Sequence, residues 1–207
     1  MNKIKNFFPQ IFGGIASGLL VAIGGTVLLS VDNRYAGAVL FTIALLAICV
    51  MDLYLFTGRI GFVAEGLNKK MPAQLVIGLL GNFIGATVTG LVVRYACPGI
   101  IERVQASCQA KLENGILRAF LLGCFCGVLM YVAVKTYKLG NVLGILFCIP
   151  VFILAGFEHS IADMFYFALA GMMDIAYIGF IIAVVLGNSV GAIAIAALWR
   201  LKNVSAK

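Results

Sequence analysis

The stretch LAGFEHSIADMFYF, residues 154–167, sets Glu158, His159 and Asp163 inside an otherwise apolar run, and His159 is the only histidine of the chain. Three ionisable groups so close together need a reason, because the sequence around them is built for a membrane. Of 207 residues, 63% are hydrophobic and 11% charged, whereas soluble domains carry about a quarter charged residues. A water-soluble fold of this length could not hide so much apolar surface. The composition therefore predicts an all-α integral membrane protein. Lys3 and Lys5 precede the first apolar run. That run reaches about Leu29 and lacks an A-x-A-like site, so no cleaved leader is expected.

Outward from residues 154–167, hydropathy divides the chain into six segments, roughly 9–30, 37–67, 72–95, 115–135, 141–171 and 175–200. A bilayer core of about 30 Å takes roughly 20 helical residues. The second and fifth segments are too long for one straight span, and polar and glycine residues interrupt each near its middle. Thr57, Gly58 and Arg59 break the second; Gly156, Glu158, His159 and Ser160 break the fifth. Pro150 is a candidate kink within the fifth.

Loop charge predicts the orientation. With both termini on one side, that side holds Lys3, Lys5, Lys69, Lys70, Lys135, Lys138, Arg200, Lys202 and Lys207 against Glu65 alone. The other side holds Arg34, Arg94, Arg103, Lys111 and Arg118 against Asp32, Glu102, Glu113 and Asp174. The positive-inside rule then places both termini in the cytoplasm, and the polar loop between Cys97 and Cys108 outside. In that position the two cysteines either bridge or remain free thiols. Cys49, Cys124, Cys126 and Cys148 lie in apolar runs and read as packing thiols.

The chain also repeats itself. GIASGLL at 14–20 returns as GCFCGVL at 123–129, and GNFIGA at 81–86 returns as GNSVGA at 187–192. Each G-x-x-x-G opens the first span of its half, each G-N-x-x-G-A lies in the third, and the broken segment is the middle one both times. The expectation is a single channel domain over 1–207, with repeat one at about 9–95 and repeat two at about 115–201. Because each repeat has three spans, the two are inserted upside down relative to each other. Such inverted repeats with broken helices place a transport site between them, while the small residues let helices approach closely.

Irregular backbone at membrane depth is tolerated only where protein or a wet cavity satisfies it. Short half-helices resuming near Ile60 and Ile161 would aim their N-termini, with free N–H groups and partial positive charge, at the membrane centre. That geometry suits an anion. His159 adds a group that titrates near neutrality. Moving a bare anion through an apolar slit costs many kcal/mol, and protonating a weak-acid anion there removes most of that cost. Thr57 and Ser160 are candidate hydroxyl partners for the histidine.

GFEHSIADM at 156–164, LFTG at 55–58 and the paired G-N-x-x-G motifs resemble the formate/nitrite transporter family, in order and over nearly the whole chain. The resemblance implies a homopentamer of aquaporin-like protomers, each with its own pore. It implies passage of small monovalent anions or their acids, such as formate, nitrite, hydrosulfide, acetate or lactate. By the same resemblance His159 and Thr57 form the central pore site, and Lys111, in KLENGILRAF, attracts anions to the outer vestibule. Phe41 and Phe152 form the outer constriction. Leu45 and Phe56, with Leu55 adjacent, form the inner one. Asn82 and Asn188 support the breaks, as do Glu158, Ser160, Arg59 and Asp163. The chain departs from the family pattern at Tyr54, where an acid is usual, at Asp163, where an asparagine is usual, and at Arg59. Arg59 is expected to pair with Asp163 or Asp52.

The leading expectation is therefore a passive or proton-linked anion channel in a cell inner membrane. Its partners are a small monovalent anion, a proton and the lipid bilayer. No cofactor, metal or nucleic acid is expected, and compact termini argue against gating by a tail. Two other readings compete. One is a neutral-solute channel for water or glycerol. The other is a membrane enzyme using Glu158, His159 and Asp163 as acid, base or metal ligands, though no further histidine or cysteine is spaced to complete such a site.

Overall fold

The computed structural model describes residues 7–66 and 68–204, so Lys3, Lys5 and Lys207 of the charge argument lie outside the described residues. Nine α-helices are found among the described residues, and no strand. In order they are α1 (Phe8–Ser30), α2 (Arg34–Val50), α3 (Phe56–Arg59), α4 (Met71–Ala96), α5 (Ile101–Glu113), α6 (Ile116–Lys138), α7 (Leu143–Ala155), α8 (Ser160–Ala170) and α9 (Ile175–Val204). A 3₁₀ turn, Ile60–Ala64, extends α3, and another, Pro98–Ile100, leads into α5.

Helices α1, α4, α6 and α9 are each long and apolar enough to cross a membrane. The fifth predicted segment is a bent pair, α7 and α8, meeting at 51°. The second is carried by the 17-residue α2, then an irregular stretch, then α3 and its 3₁₀ turn. The outward faces of the long helices carry exposed side chains such as Leu80, Leu91, Leu121, Leu186 and Leu198, as lipid or protein contact requires.

Small residues decide the helix pairing. In α1 and α4, a Cβ built on Gly14 would stand 3.0 Å from the Gly81 Cα, and one on Gly18 would collide with the Asn82 carbonyl. In α6 and α9, Cβ atoms on Gly127 and Gly191 would collide with the carbonyls of Asn188 and Cys124. The two G-x-x-x-G and two G-N-x-x-G-A motifs are thus the contact surfaces of two close helix pairs.

Helix α8 lies inside the bundle, with every residue buried except Tyr166. It is apolar almost all round, the pattern of a helix enclosed on every side. Its start and the end of α7 are set by local chemistry. Gly156, at φ 73°, closes α7, with Gly156 N–H on Ile153 O and Phe157 N–H on Phe152 O. His159 then caps α8, its Nδ1 accepting the Ala162 N–H at 3.2 Å.

Two expectations shift. The first break precedes Thr57, Gly58 and Arg59 rather than containing them. It occupies residues 51–55, and the half-helix resumes at Phe56, not near Ile60. The reason is Asn82, whose Oδ1 accepts the Phe56 N–H at 2.9 Å and starts a helix there. Second, the polar loop between Cys97 and Cys108 is mostly helix, α5, which lies against α8. Cys108 is buried and Cys97 exposed, both are free, and the bridge is not formed. Burial pushes the Cys108 thiol up to about 12, so it stays protonated.

Candidate functional site

The two breaks are held by one hydrogen-bond pattern used twice. Asn82 accepts from Phe56 N–H and donates from Nδ2 to the carbonyls of Gly14 (2.9 Å) and Tyr54 (2.8 Å). Asn188 accepts from Ser160 N–H at 3.0 Å and donates to the carbonyls of Gly123 (2.9 Å) and Glu158 (2.8 Å). Both asparagines are fully buried, and each satisfies backbone groups that the breaks strip of helical partners. This amends the expectation of open N–H groups at the centre. The first N–H of each half-helix is occupied by an asparagine, and the Ala162 N–H by His159.

The resumed helices bring Thr57 and His159 together. Thr57 Oγ1 lies 2.9 Å from His159 Nε2, and both residues are buried. A neutral imidazole has one donor and one acceptor nitrogen. Nδ1 accepts from Ala162, so Nε2 carries the hydrogen and donates it to Thr57. The Thr57 hydroxyl hydrogen is left available to a third group.

Apolar side chains stand on both sides of this pair. Phe41 and Phe152 meet edge-on, with ring centroids 6.3 Å apart and planes at 89°, and Phe152 stacks on His159 at 5.7 Å. Beyond them opens a cavity of about 400 Å³ whose lining includes Arg34, Arg103, Lys111, Glu158, His159, Asp163 and Tyr166. Leu45 and Leu55 line a second cavity of about 230 Å³, together with Gly58, Arg59, Tyr137 and Lys138. Phe56, expected at the inner constriction, lines neither cavity. It packs with Ile60, Leu75 and Tyr131, because it follows the N-cap residue Leu55 on the far side of the turn.

Lys111, on α5, donates to Glu158 Oε2 and, at 3.0 Å, to Asp163 Oδ1. Burial disfavours its ammonium, but Asp163 and Glu158 outweigh that and hold its pKa above the ordinary lysine range. Lys111 therefore stays charged through neutral pH, and the ion pairs are lost only as pH rises past that elevated value. The Oδ2 atom of Asp163 and the hydroxyl of Ser160 are buried with no hydrogen-bond partner among the described residues.

Arg59 takes Asp52, not Asp163. Its Nη2 donates to Asp52 Oδ1 at 2.8 Å and to the Leu53 carbonyl at 3.2 Å, and its guanidinium lies 4.6 Å from the Tyr54 ring centroid. Asp52 is the one non-glycine residue at positive φ (48°) among the described residues. The loop-charge pattern assigns Arg34 and Arg103 a part in orientation alone. Arg34 donates to the Ile153 carbonyl near the end of α7, and Arg103 to those of Leu29 and Val31 at the end of α1. Arg34 opens α2 and Arg103 lies in the first turn of α5, and neither position in the sequence gives a sign of the cavity they line. Among the described residues no three His, Cys, Asp or Glu side chains converge as metal ligands.

The sequence profile of the formate/nitrite transporter family matches residues 2–201. The nitrite transporter NirC of Salmonella typhimurium is 28% identical over 171 residues, covering 76% of this chain and 63% of that protein. The formate channel FocA of Haemophilus influenzae is 24% identical over 187 residues, covering 78% and 66%. The aligned region thus spans just under two thirds of these relatives. Among solved structures, an FNT family ion channel matches with TM-score 0.81 at 24% identity, covering 98% of this chain and 91% of that one. A pentameric formate channel with formate bound matches with TM-score 0.84 at 21% identity, covering 100% of both.

Proposed function

The chain belongs to the formate/nitrite transporter family, and from that membership we propose that it is a membrane channel for small monovalent anions or their conjugate acids. Formate, nitrite, hydrosulfide and short monocarboxylates are the candidate substrates. The family consists of transporters rather than enzymes, and nothing in the site calls for a different class. The observation that carries the reading is the buried Thr57–His159 pair, set between two apolar constrictions, each opening onto a cavity lined by cationic side chains.

An anion enters the outer cavity under the attraction of Arg34 and Arg103, while the charge of Lys111 is offset by Glu158 and Asp163. It passes Phe41 and Phe152 and meets the Thr57 hydroxyl. Stripped of water, a weak-acid anion becomes more basic. For His159 to supply a proton through Thr57, Nδ1 must first take one up and release the Ala162 N–H. Losing such a cap costs about 0.5–2 kcal/mol. Charging the buried imidazole costs more than the cap, and the incoming anion offsets that cost by pairing with it, so neither charge stands alone among the apolar walls. The acid then leaves past Leu45 and Leu55.

The arrangement proposed around this pathway is six spans in two inverted repeats, at about 9–95 and 115–201, forming one domain. We place it as a homopentamer in a cell inner membrane with both termini cytoplasmic. The duplicated asparagine pattern supports the repeats, the segregated charges the orientation, and the likeness to a pentameric channel the pentamer. Stopped-flow flux in liposomes tests the function, using formate, nitrite, hydrosulfide, acetate and lactate at two pH values. Selective anion-dependent flux is expected, with a pH dependence that His159→Phe alters. Identical flux of the two proteins at every pH would remove the proton relay, and water or glycerol flux without anion flux would favour the neutral-solute channel.

A further inference from the structure

The second cavity has a feature that passage of a neutral acid does not need. Beyond Leu45 and Leu55 it is lined by Arg59 and Lys138, with Asp52 as the only acid. The same three residues line a neighbouring cavity bounded by Tyr54, Phe62 and Leu75. The two cations therefore stand where the inner constriction opens out.

Arg59 is only partly engaged there. All its hydrogen bonds leave from Nη2, so Nε and Nη1 have no partner among the described residues, and a third of its side chain is exposed. Its counter-charge is weak, because the Asp52 side chain is 92% exposed and solvent screens it. Lys138 makes no ion pair among the described residues and rests 4.2 Å from the Phe62 ring centroid. Lys111 on the outer side differs, being held by two buried carboxylates.

We propose that Arg59 and Lys138 form an anion-binding site at the inner mouth of the pore, which takes a small planar monovalent oxyanion such as a carboxylate. Such an ion matches the planar fork of a guanidinium, and Lys138 adds a mobile point charge. Asp52 tethers Arg59 and tempers its charge, so an anion is held without being trapped. The site rests on the anion-channel reading and adds to it a face-specific affinity: the inner face saturates at lower anion concentration than it would without these cations.

The test uses the full chain in right-side-out and inside-out membrane vesicles, with radiolabelled formate as probe. Arg59→Gln is expected to raise the half-saturating formate concentration about three- to ten-fold in inside-out vesicles, the scale of one charge-assisted contact. A much smaller change is expected in right-side-out vesicles. Arg59→Lys, which keeps the charge but loses the planar fork, restores only part of the affinity. Asp52→Asn lowers the half-saturating concentration, and asparagine tolerates the positive φ of that position. Unchanged values in Arg59→Gln, or equal changes on both faces, overturn the site. If Arg59→Gln does not assemble, Lys138→Gln and Asp52→Asn decide, and unaltered saturation in both overturns it. Wild-type vesicles that pass no anion from either face would instead refute the channel reading itself.

Discussion

Thr57 Oγ1 and His159 Nε2 lie 2.9 Å apart although the residues are 102 positions apart in the chain. The contact joins the half-helices of the two breaks, and its direction is set from behind by the Ala162 N–H on Nδ1. Removing either partner leaves a polar group stranded among apolar walls.

Thr57→Val keeps the shape and deletes the hydroxyl. It should destabilise the protein by about 1–3 kcal/mol, the cost of an unpaired buried donor, and lower anion flux at least about ten-fold. Thr57→Ser should retain most of both. Thermal unfolding in detergent and liposome flux measure the two effects, and normal flux in Thr57→Val would exclude the hydroxyl from the pathway.

Lys111 holds Glu158 and Asp163 together, so its loss and the loss of one acid should differ. Lys111→Met leaves two buried carboxylates facing each other and should cost about 3–5 kcal/mol. Asp163→Asn leaves Lys111 its Glu158 partner and should cost less than half as much. It should also make the outer cavity more positive and lower the half-saturating anion concentration from that face. Equal melting-temperature losses in the two variants would count against a shared ion-pair cluster.

Glu65 ties the 3₁₀ turn after α3 to α6, accepting from Tyr131 (2.7 Å) and Lys135 (2.6 Å). Burial raises its pKa, but the bonds from Lys135 and Tyr131 and the nearby positive charge outweigh that and hold it below the ordinary carboxylate value. A lowered carboxylate stabilises the fold above its unfolded pKa, about 4.3 for glutamate, and loses that effect as pH falls through the folded value. Glu65→Gln should therefore melt lower than wild type at pH 7, with the gap closing in the acidic range. A gap independent of pH would exclude the ion pair as its cause.

The duplicated asparagines should behave alike. Asn82→Ala and Asn188→Ala each remove three buried hydrogen bonds and should each cost several kcal/mol, since stranded groups cost about 1–3 kcal/mol apiece. Protease protection of the two breaks in liposomes would show whether each loss is confined to its own half.

Much of this was legible from short motifs. The repeated glycines marked both close helix pairs, because backbone contact at that distance excludes any side chain. The G-F-E-H-S segment marked the second break correctly, as Gly156 and His159 are themselves the stop and start signals of the flanking helices. The first break was misplaced because LFTG contains no cap of its own. Its start signal is Asn82, supplied from another helix. The stretch after Cys97 reads as loop on mean hydropathy alone, yet Ile101, Val104, Cys108 and Leu112 recur at helical spacing, and this helix packs on α8 with Val104 and Cys108 buried.

The sequence by itself determined the membrane environment, the twofold repeat and the presence of two broken segments, whereas the meeting of Thr57 with His159 was implied only by the family resemblance. The first three follow from composition, backbone sterics and capping, which act locally or through repeated motifs. Only the tertiary structure decided the charge pairing. It gave Asp163 and Glu158 to Lys111, left Arg59 to Asp52, put Leu55 rather than Phe56 at the cavity lined by Arg59 and Lys138 and brought Arg34 and Arg103 to the one lined by Lys111. An ion pair in an apolar interior depends on which two charges come within a few ångströms after packing, and no spacing along the chain encodes that distance.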